Sequence, residues 1–110
     1  MKFEDYNIAS EIKEQLAALG FKRPTDIQYK TIPAILEGED VMAIPQTGTG
    51  KTAAFAIPTI DVLSRIKRKS KYSKDKVVQC LVLVPTRELA RQIATDYREI
   101  GKKTRVKTFG

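Results

Sequence analysis

The stretch Gln46-Thr47-Gly48-Thr49-Gly50-Lys51-Thr52 constrains this chain more than any other. It follows a short apolar run, Val41-Met42-Ala43-Ile44, and opens a long helical pattern that reaches about Arg68. Glycines at such a strand-to-helix junction let the backbone turn tightly and aim its N–H groups at an anion. The helix adds the positive end of its dipole. In that setting Lys51 can reach the β- and γ-phosphates of a nucleotide, and the Thr52 hydroxyl can ligate Mg²⁺. The bland alternative is a glycine turn with a chance lysine; Gly-x-Gly-Lys-Thr between a strand and a helix argues against it. One position departs from the general pattern, which asks for Gly where this chain has Pro45. Proline offers no N–H and fixes φ, although it favours an extended Ile44.

The flanking patterns set the architecture. Ile8, Ile12, Leu16 and Leu19 recur at helical spacing, with Asn7 or Ser10 as candidate caps and Gly20 as a stop. A second helix is predicted from Thr25, with Ile27, Ile32, Ile35 and Leu36 as its apolar positions and a kink or break at Pro33. Lys51 to about Arg68 reads as a third helix, made irregular by Pro58. Lys69 to Lys76 is a lysine-rich loop, and Val77 to Val84 is the strongest strand candidate. Thr86 to about Ile100 is a helix with Leu89, Ile93, Tyr97 and Ile100 on one side, stopped at Gly101. Thr104 to Phe109 is a last short strand candidate. Two helices followed by strand-helix-strand-helix-strand imply an α/β fold with a parallel sheet and right-handed crossovers.

Composition excludes several chemistries. A chain of 110 residues is room for one small domain. It has one cysteine, Cys80, expected as a small buried hydrophobe, so it holds no intramolecular disulfide and no cysteine zinc cluster. It has no histidine, which rules out His-based nucleophilic triads. The formal net charge of +7 suits a phosphate-rich partner such as nucleic acid, or simply a soluble surface. No apolar run approaches the ~20 residues of a membrane span. Met1 to Tyr6 lacks a signal-peptide layout, so a cytoplasmic protein is expected.

Three motifs then carry a resemblance. Gly20-Phe21-x-x-Pro24-Thr25-x-Ile27-Gln28, with Phe3 upstream, resembles the Q motif of the DEAD-box RNA helicases. Gln46 to Thr52 resembles their motif I, and Pro85-Thr86-Arg87-Glu88-Leu89-Ala90 matches their motif Ia, in the family's order. The resemblance implies a partial RecA-like P-loop NTPase domain, with a parallel sheet of βαβαβ order preceded by two N-terminal helices. Residues 1–38 would form the Q-motif helical region, and 39–110 the N-terminal part of the first RecA-like domain. It implies ATP and Mg²⁺ as cofactors and RNA as partner. Gln28 would read the adenine edge, Phe21 would stack on the ring, and the Arg23 backbone would lie near the base. Gln46, Thr47, Gly48, Thr49, Gly50, Lys51 and Thr52 would hold the phosphates, with Lys51 and Thr52 serving catalysis and Thr52 the metal. Pro85, Thr86 and Arg87 would contact RNA, partly through the N–H groups that open the next helix.

The acidic Asp-Glu-Ala-Asp motif of that family does not occur in these residues. The carboxylates that position Mg²⁺ and water, and the arginines that stabilise the transferring phosphoryl group, are therefore not supplied here. The expectation is the N-terminal half of a first helicase domain, from an ATP-dependent enzyme that unwinds RNA duplexes. The alternatives are a truncated, non-catalytic module that binds nucleotide or RNA, and, more remotely, a DNA-directed helicase, which the Q motif disfavours.

Overall fold

A computed structural model describes residues 2–42, 51–69 and 78–110. The chain opens with a single 3-10 turn, Phe3–Asp5, and then forms four helices: α1 (Ser10–Ala18), α2 (Asp26–Leu36), α3 (Lys51–Lys69) and α4 (Arg87–Ile100). α3 is the central element, packed against α2 and against α4, while α1 also touches α4.

The predicted stripe of α1 is buried at Ile8, Ile12 and Leu16, but Leu19 is exposed. Neither Asn7 nor Ser10 caps the helix: Ala9 is the N-cap residue, without a side-chain cap, and Ser10 is the first helical residue. The stop at Gly20 is a left-handed turn at φ +86°, which an L side chain rarely adopts. The Gly20 N–H donates to Ala17 O and the Phe21 N–H to Leu16 O, closing the last turn of α1.

α2 runs through Pro33 as one helix, not two. Pro33 and Tyr29 are both on the exposed side, so the Tyr29 carbonyl that loses its helical donor can turn to water. Ile32 supplies the fully buried apolar contact of α2; Ile27, Ile35 and Leu36 are half-buried. α3 likewise continues through Pro58, which is fully buried. Ala53, Ala54 and Ala56 keep its core face small, so neighbours approach closely, and Ile57 and Ile60 fill the space between.

In α4 the buried positions are Ala94 and Ile100, with Tyr97 packed against the core and Leu89 exposed. Gly101 ends α4 as the sequence predicts. A Cβ there would lie 3.2 Å from Tyr97 O and 3.3 Å from Thr104 Oγ1, so glycine lets the chain turn tightly off the end of α4.

The sheet is where expectation and structure differ. Among the described residues there is no strand. Val78, Leu81 and Leu83, in the strongest strand candidate, stand 75–84% exposed. Cys80 in the same stretch is also exposed, not buried. A strand exists only through ladder partners, and no described segment pairs with this one. Residues 104–109 are not a strand either. Thr104 Oγ1 donates to Gly101 O at 2.7 Å and accepts the Val106 N–H at 3.2 Å, while Arg98 Nε donates to Thr108 O at 3.2 Å. This tail therefore folds back onto α4. Of the candidate strand 41–44, Val41 and Met42 are not strand, and Ala43 and Ile44 lie outside the described residues.

Candidate nucleotide and RNA interface

The Q-like segment leaves α1 through the Gly20 turn, which delivers Phe21 next to Leu16. Phe21 is half-buried, and its ring meets Phe3 edge-on, with centroids 6.1 Å apart and planes at 89°. Phe3 is itself buried and 6.1 Å from the Tyr6 ring. Such tilted and edge-on pairs are the favoured aromatic geometry. Arg23 is exposed at the surface.

Thr25 and Gln28 form a reciprocal cap at the start of α2. Gln28 Oε1 accepts the Thr25 N–H at 2.9 Å, and Thr25 Oγ1 accepts the Gln28 N–H at 3.4 Å. This is the capping-box pattern, in which two unsatisfied helix donors are served at once. Gln28 is 1% exposed, so it is not a solvated helix residue. Because its oxygen holds a backbone donor, the amide has one defined orientation and its NH₂ points the other way.

α2 packs on α3, and α3 begins at Lys51, with Thr52 half-buried in its first turn. Gln28 and Lys51 thus belong to neighbouring, packed helices. Gln46, Thr47, Gly48, Thr49 and Gly50, together with Pro45, lie outside the described residues.

On the other side of α3, Thr86 is the N-cap of α4. Its Oγ1 accepts the Leu89 N–H at 3.2 Å, which leaves the hydroxyl proton available to a ligand. Pro85, Thr86, Arg87 and Glu88 are all exposed. The first N–H groups of α4 therefore face solvent, with a cation beside them at Arg87 and an acid at Glu88.

One residue that sequence reasoning passed over stands out. Asp61, in α3, is fully buried: its Oδ1 accepts the Ala9 N–H at 2.7 Å, and its Oδ2 lies 2.9 Å from Arg65 Nε as an ion pair rather than a hydrogen bond. Arg65 Nη2 also donates to the Asn7 carbonyl. The signal was present in the sequence: one acid inside the apolar stripe of Ala54, Ile57 and Ile60, with an arginine four residues later. Burial pushes the Tyr97 hydroxyl up to about 12, helped by nearby Cys80, and burial followed by Tyr29 raises Tyr6.

Comparison with known proteins decides the family. The model of the DEAD/DEAH box helicase family matches residues 25–109. This chain belongs to that family. It is 43% identical over 106 residues to the DEAD-box ATP-dependent RNA helicase RhpA of Helicobacter pylori, covering 96% of this chain and 20% of that protein. With the ATP-dependent RNA helicase DeaD of Mycobacterium tuberculosis it shares 48% identity over 99 residues, 90% of this chain and 16% of the relative. The chain thus spans a fifth or less of the length of these curated relatives. Among solved structures, a DEAD box protein from Methanococcus jannaschii superimposes with a TM-score of 0.77 at 36% identity, over 96% of this chain and 26% of that one. A hypothetical ATP-dependent RNA helicase from Sulfolobus tokodaii gives 0.70 at 39% identity, over 86% and 24%.

Among the described residues no helix is long and apolar enough to cross a membrane. Nor does any group of three or more His, Cys, Asp or Glu there form a candidate metal site.

Proposed function

We propose that this chain is the part of an ATP-dependent RNA helicase that recognises adenine, holds the nucleotide phosphates and supplies one RNA contact. The observation that carries the reading is the buried Gln28 with its oxygen held by Thr25, one helix away from the α3 terminus that opens at Lys51. In this reading residues 1–38 are the Q-motif helical region. Residues 39–110 are the N-terminal part of a RecA-like domain whose sheet has βαβαβ order. The protein works in the cytoplasm.

The chemistry of each residue follows from its type and place. The Gln28 NH₂ donates to a ring nitrogen of adenine, while its oxygen keeps a second lone pair for the exocyclic amine. Guanine reverses that donor–acceptor pattern, so an amide of fixed orientation prefers ATP. Phe21 supplies a flat apolar face for the base, with the Arg23 backbone alongside. Gln46, Thr47, Gly48, Thr49 and Gly50 offer backbone donors to the phosphates, and Lys51 neutralises the β- and γ-oxygens.

Thr52, in the first turn of α3, would offer its hydroxyl to a bound Mg²⁺-nucleotide beside the N–H groups that open the helix. Thr52 would hold the metal, which supplies charge neutralisation on the phosphates when bound. Pro85, Thr86 and Arg87 hold an RNA phosphate at the start of α4. They fix position rather than read sequence.

Calorimetric titration of the chain with Mg-ATP and Mg-GTP tests the reading. Binding with a clear preference for ATP is expected. Equal affinities would remove the adenine role, and no binding of either would remove the whole reading.

A further inference from the structure

We propose that Asp61 and Arg65 are positioning residues for base recognition, acting through the segment Phe3–Ala9 on the place of Phe21. The inference rests on the reading above, in which Phe21 stacks on adenine.

The argument begins with Asp61. It occupies a fully buried position on α3, where its neighbours one and two turns away are Ile57 and Ala54. A carboxylate there costs more than an apolar residue of similar size unless its partners replace lost water. Its partners are specific. Oδ1 holds the N–H of Ala9, which has no side-chain cap of its own and lies 52 residues away in sequence. One turn on, Arg65 pairs with Oδ2 and grips the Asn7 carbonyl. Two adjacent points of the N-terminal segment are thus fastened to α3.

The other end of the segment is fastened to the base side. Lys13 Nζ donates to the Glu4 carbonyl at 2.9 Å. Phe3 is buried between Tyr6 and Phe21, with both centroids at 6.1 Å. Residues 3–9 therefore form a strap from the middle of α3 to the ring of Phe21. Asp61 is ten residues after Lys51, or about 15 Å along the helix axis. The helix that opens at the phosphate loop and the ring assigned to the base are joined by this strap. A shift of α3 is passed to Phe21 through Ala9, Asn7 and Phe3.

A purely structural role would weaken all ligands alike. A positioning role lowers the affinity for base-bearing nucleotides more than that for triphosphate alone. The test uses Asp61→Asn, Arg65→Ala and Phe3→Ala in this chain, with two readouts. Affinities for ATP, GTP and inorganic triphosphate are compared, and NMR follows the Phe21 ring resonances and the exchange protection of the Ala9 amide. Asp61→Asn keeps an acceptor for Ala9 but loses the charge that orients Arg65. The expected result is a fall in ATP and GTP affinity alike of about 3- to 10-fold, with triphosphate affinity changed less than about 2-fold. Phe21 resonances should move with it. Arg65→Ala, at a half-exposed side chain, should do the same if Asp61→Asn fails to fold. Phe3→Ala combined with either should be non-additive, since both cut one strap.

Equal loss for all three ligands, or unmoved Phe21 resonances, would overturn the proposal while leaving the ATP-binding reading intact. No nucleotide binding by the wild-type chain would overturn both.

Discussion

Gln28 Oε1 accepts the backbone N–H of Thr25 at 2.9 Å, so the side chain assigned to adenine also caps the helix that carries it. Removing the amide therefore has two effects that must be separated. Gln28→Ala should cost about 0.5–2 kcal/mol of stability through the lost cap, besides lowering ATP preference. Gln28→Glu keeps an acceptor for Thr25 but has no NH₂ to offer the base. Its buried carboxylate should lower the melting temperature too, but with the Thr25 cap kept, a fall in ATP-to-GTP preference reports on the base contact. Thermal melts paired with nucleotide titrations distinguish the two effects. A Glu variant that retains full ATP preference would count against base reading by this residue.

Lys51 opens α3 directly after Gly50. Charge-assisted hydrogen bonds contribute roughly 1.5–3 kcal/mol each. Lys51→Ala should weaken Mg-ATP binding by about 10- to 100-fold with the fold intact. Calorimetry that gives the same affinity for both proteins would sink the phosphate-loop assignment.

Thr86 both caps α4 and stands at the assigned RNA contact. Thr86→Ala should lose about 0.5–2 kcal/mol of stability, and Thr86→Ser should recover most of it. Arg87→Ala should leave the melt unchanged, since the side chain is exposed. Its effect belongs in the salt dependence of binding to a single-stranded oligoribonucleotide, where the slope should drop by about 1. An Arg87 variant with an unchanged slope would remove Arg87 from the RNA surface.

The Tyr97 hydroxyl is pushed from 10.0 up to about 12, first by burial and then by Cys80. The folded state thus holds its proton more tightly than the unfolded chain. The associated stability is fully present below pH 10.0 and is lost as pH rises through about 12. The loss amounts to at most about 2–3 kcal/mol. Denaturant melts across that window should show a steeper alkaline decline for wild type than for Tyr97→Phe, which keeps the ring packing. Parallel declines would mean the hydroxyl is not protected.

Turnover is the remaining expectation. The Asp-Glu-Ala-Asp carboxylates do not occur in these residues, and the arginines that the resemblance assigns to the transferring phosphoryl group belong to later motifs. One electrostatic donor of that kind is worth ~10²–10³ in rate, and an arginine finger ~10³–10⁵. Residues 1–110 alone should show no measurable RNA-stimulated phosphate release. Release that disappears in Lys51→Ala would mean that the chain hydrolyses ATP without those groups.

Much of the local structure was legible in the sequence because its causes are local. Gly20 and Gly101 end helices for reasons of backbone freedom and close approach, and Thr25 and Thr86 cap helices through their own hydroxyls. The glycine-rich loop and the Q-like and Ia-like segments pointed to the family in the same way, since each is a short run of recognisable residue types. What sequence could not decide depends on distant partners. The apolar run at 78–84 has the composition of a strand, yet a strand forms only when another supplies its hydrogen bonds, and among the described residues none does. Pro33 predicted a kink or a break, but α2 continues as one helix because the carbonyl that loses its donor lies on the exposed side. Asp61 shows the same dependence most clearly: it meets Ala9 from 52 residues away, and only the folded chain brings those partners within 3 Å.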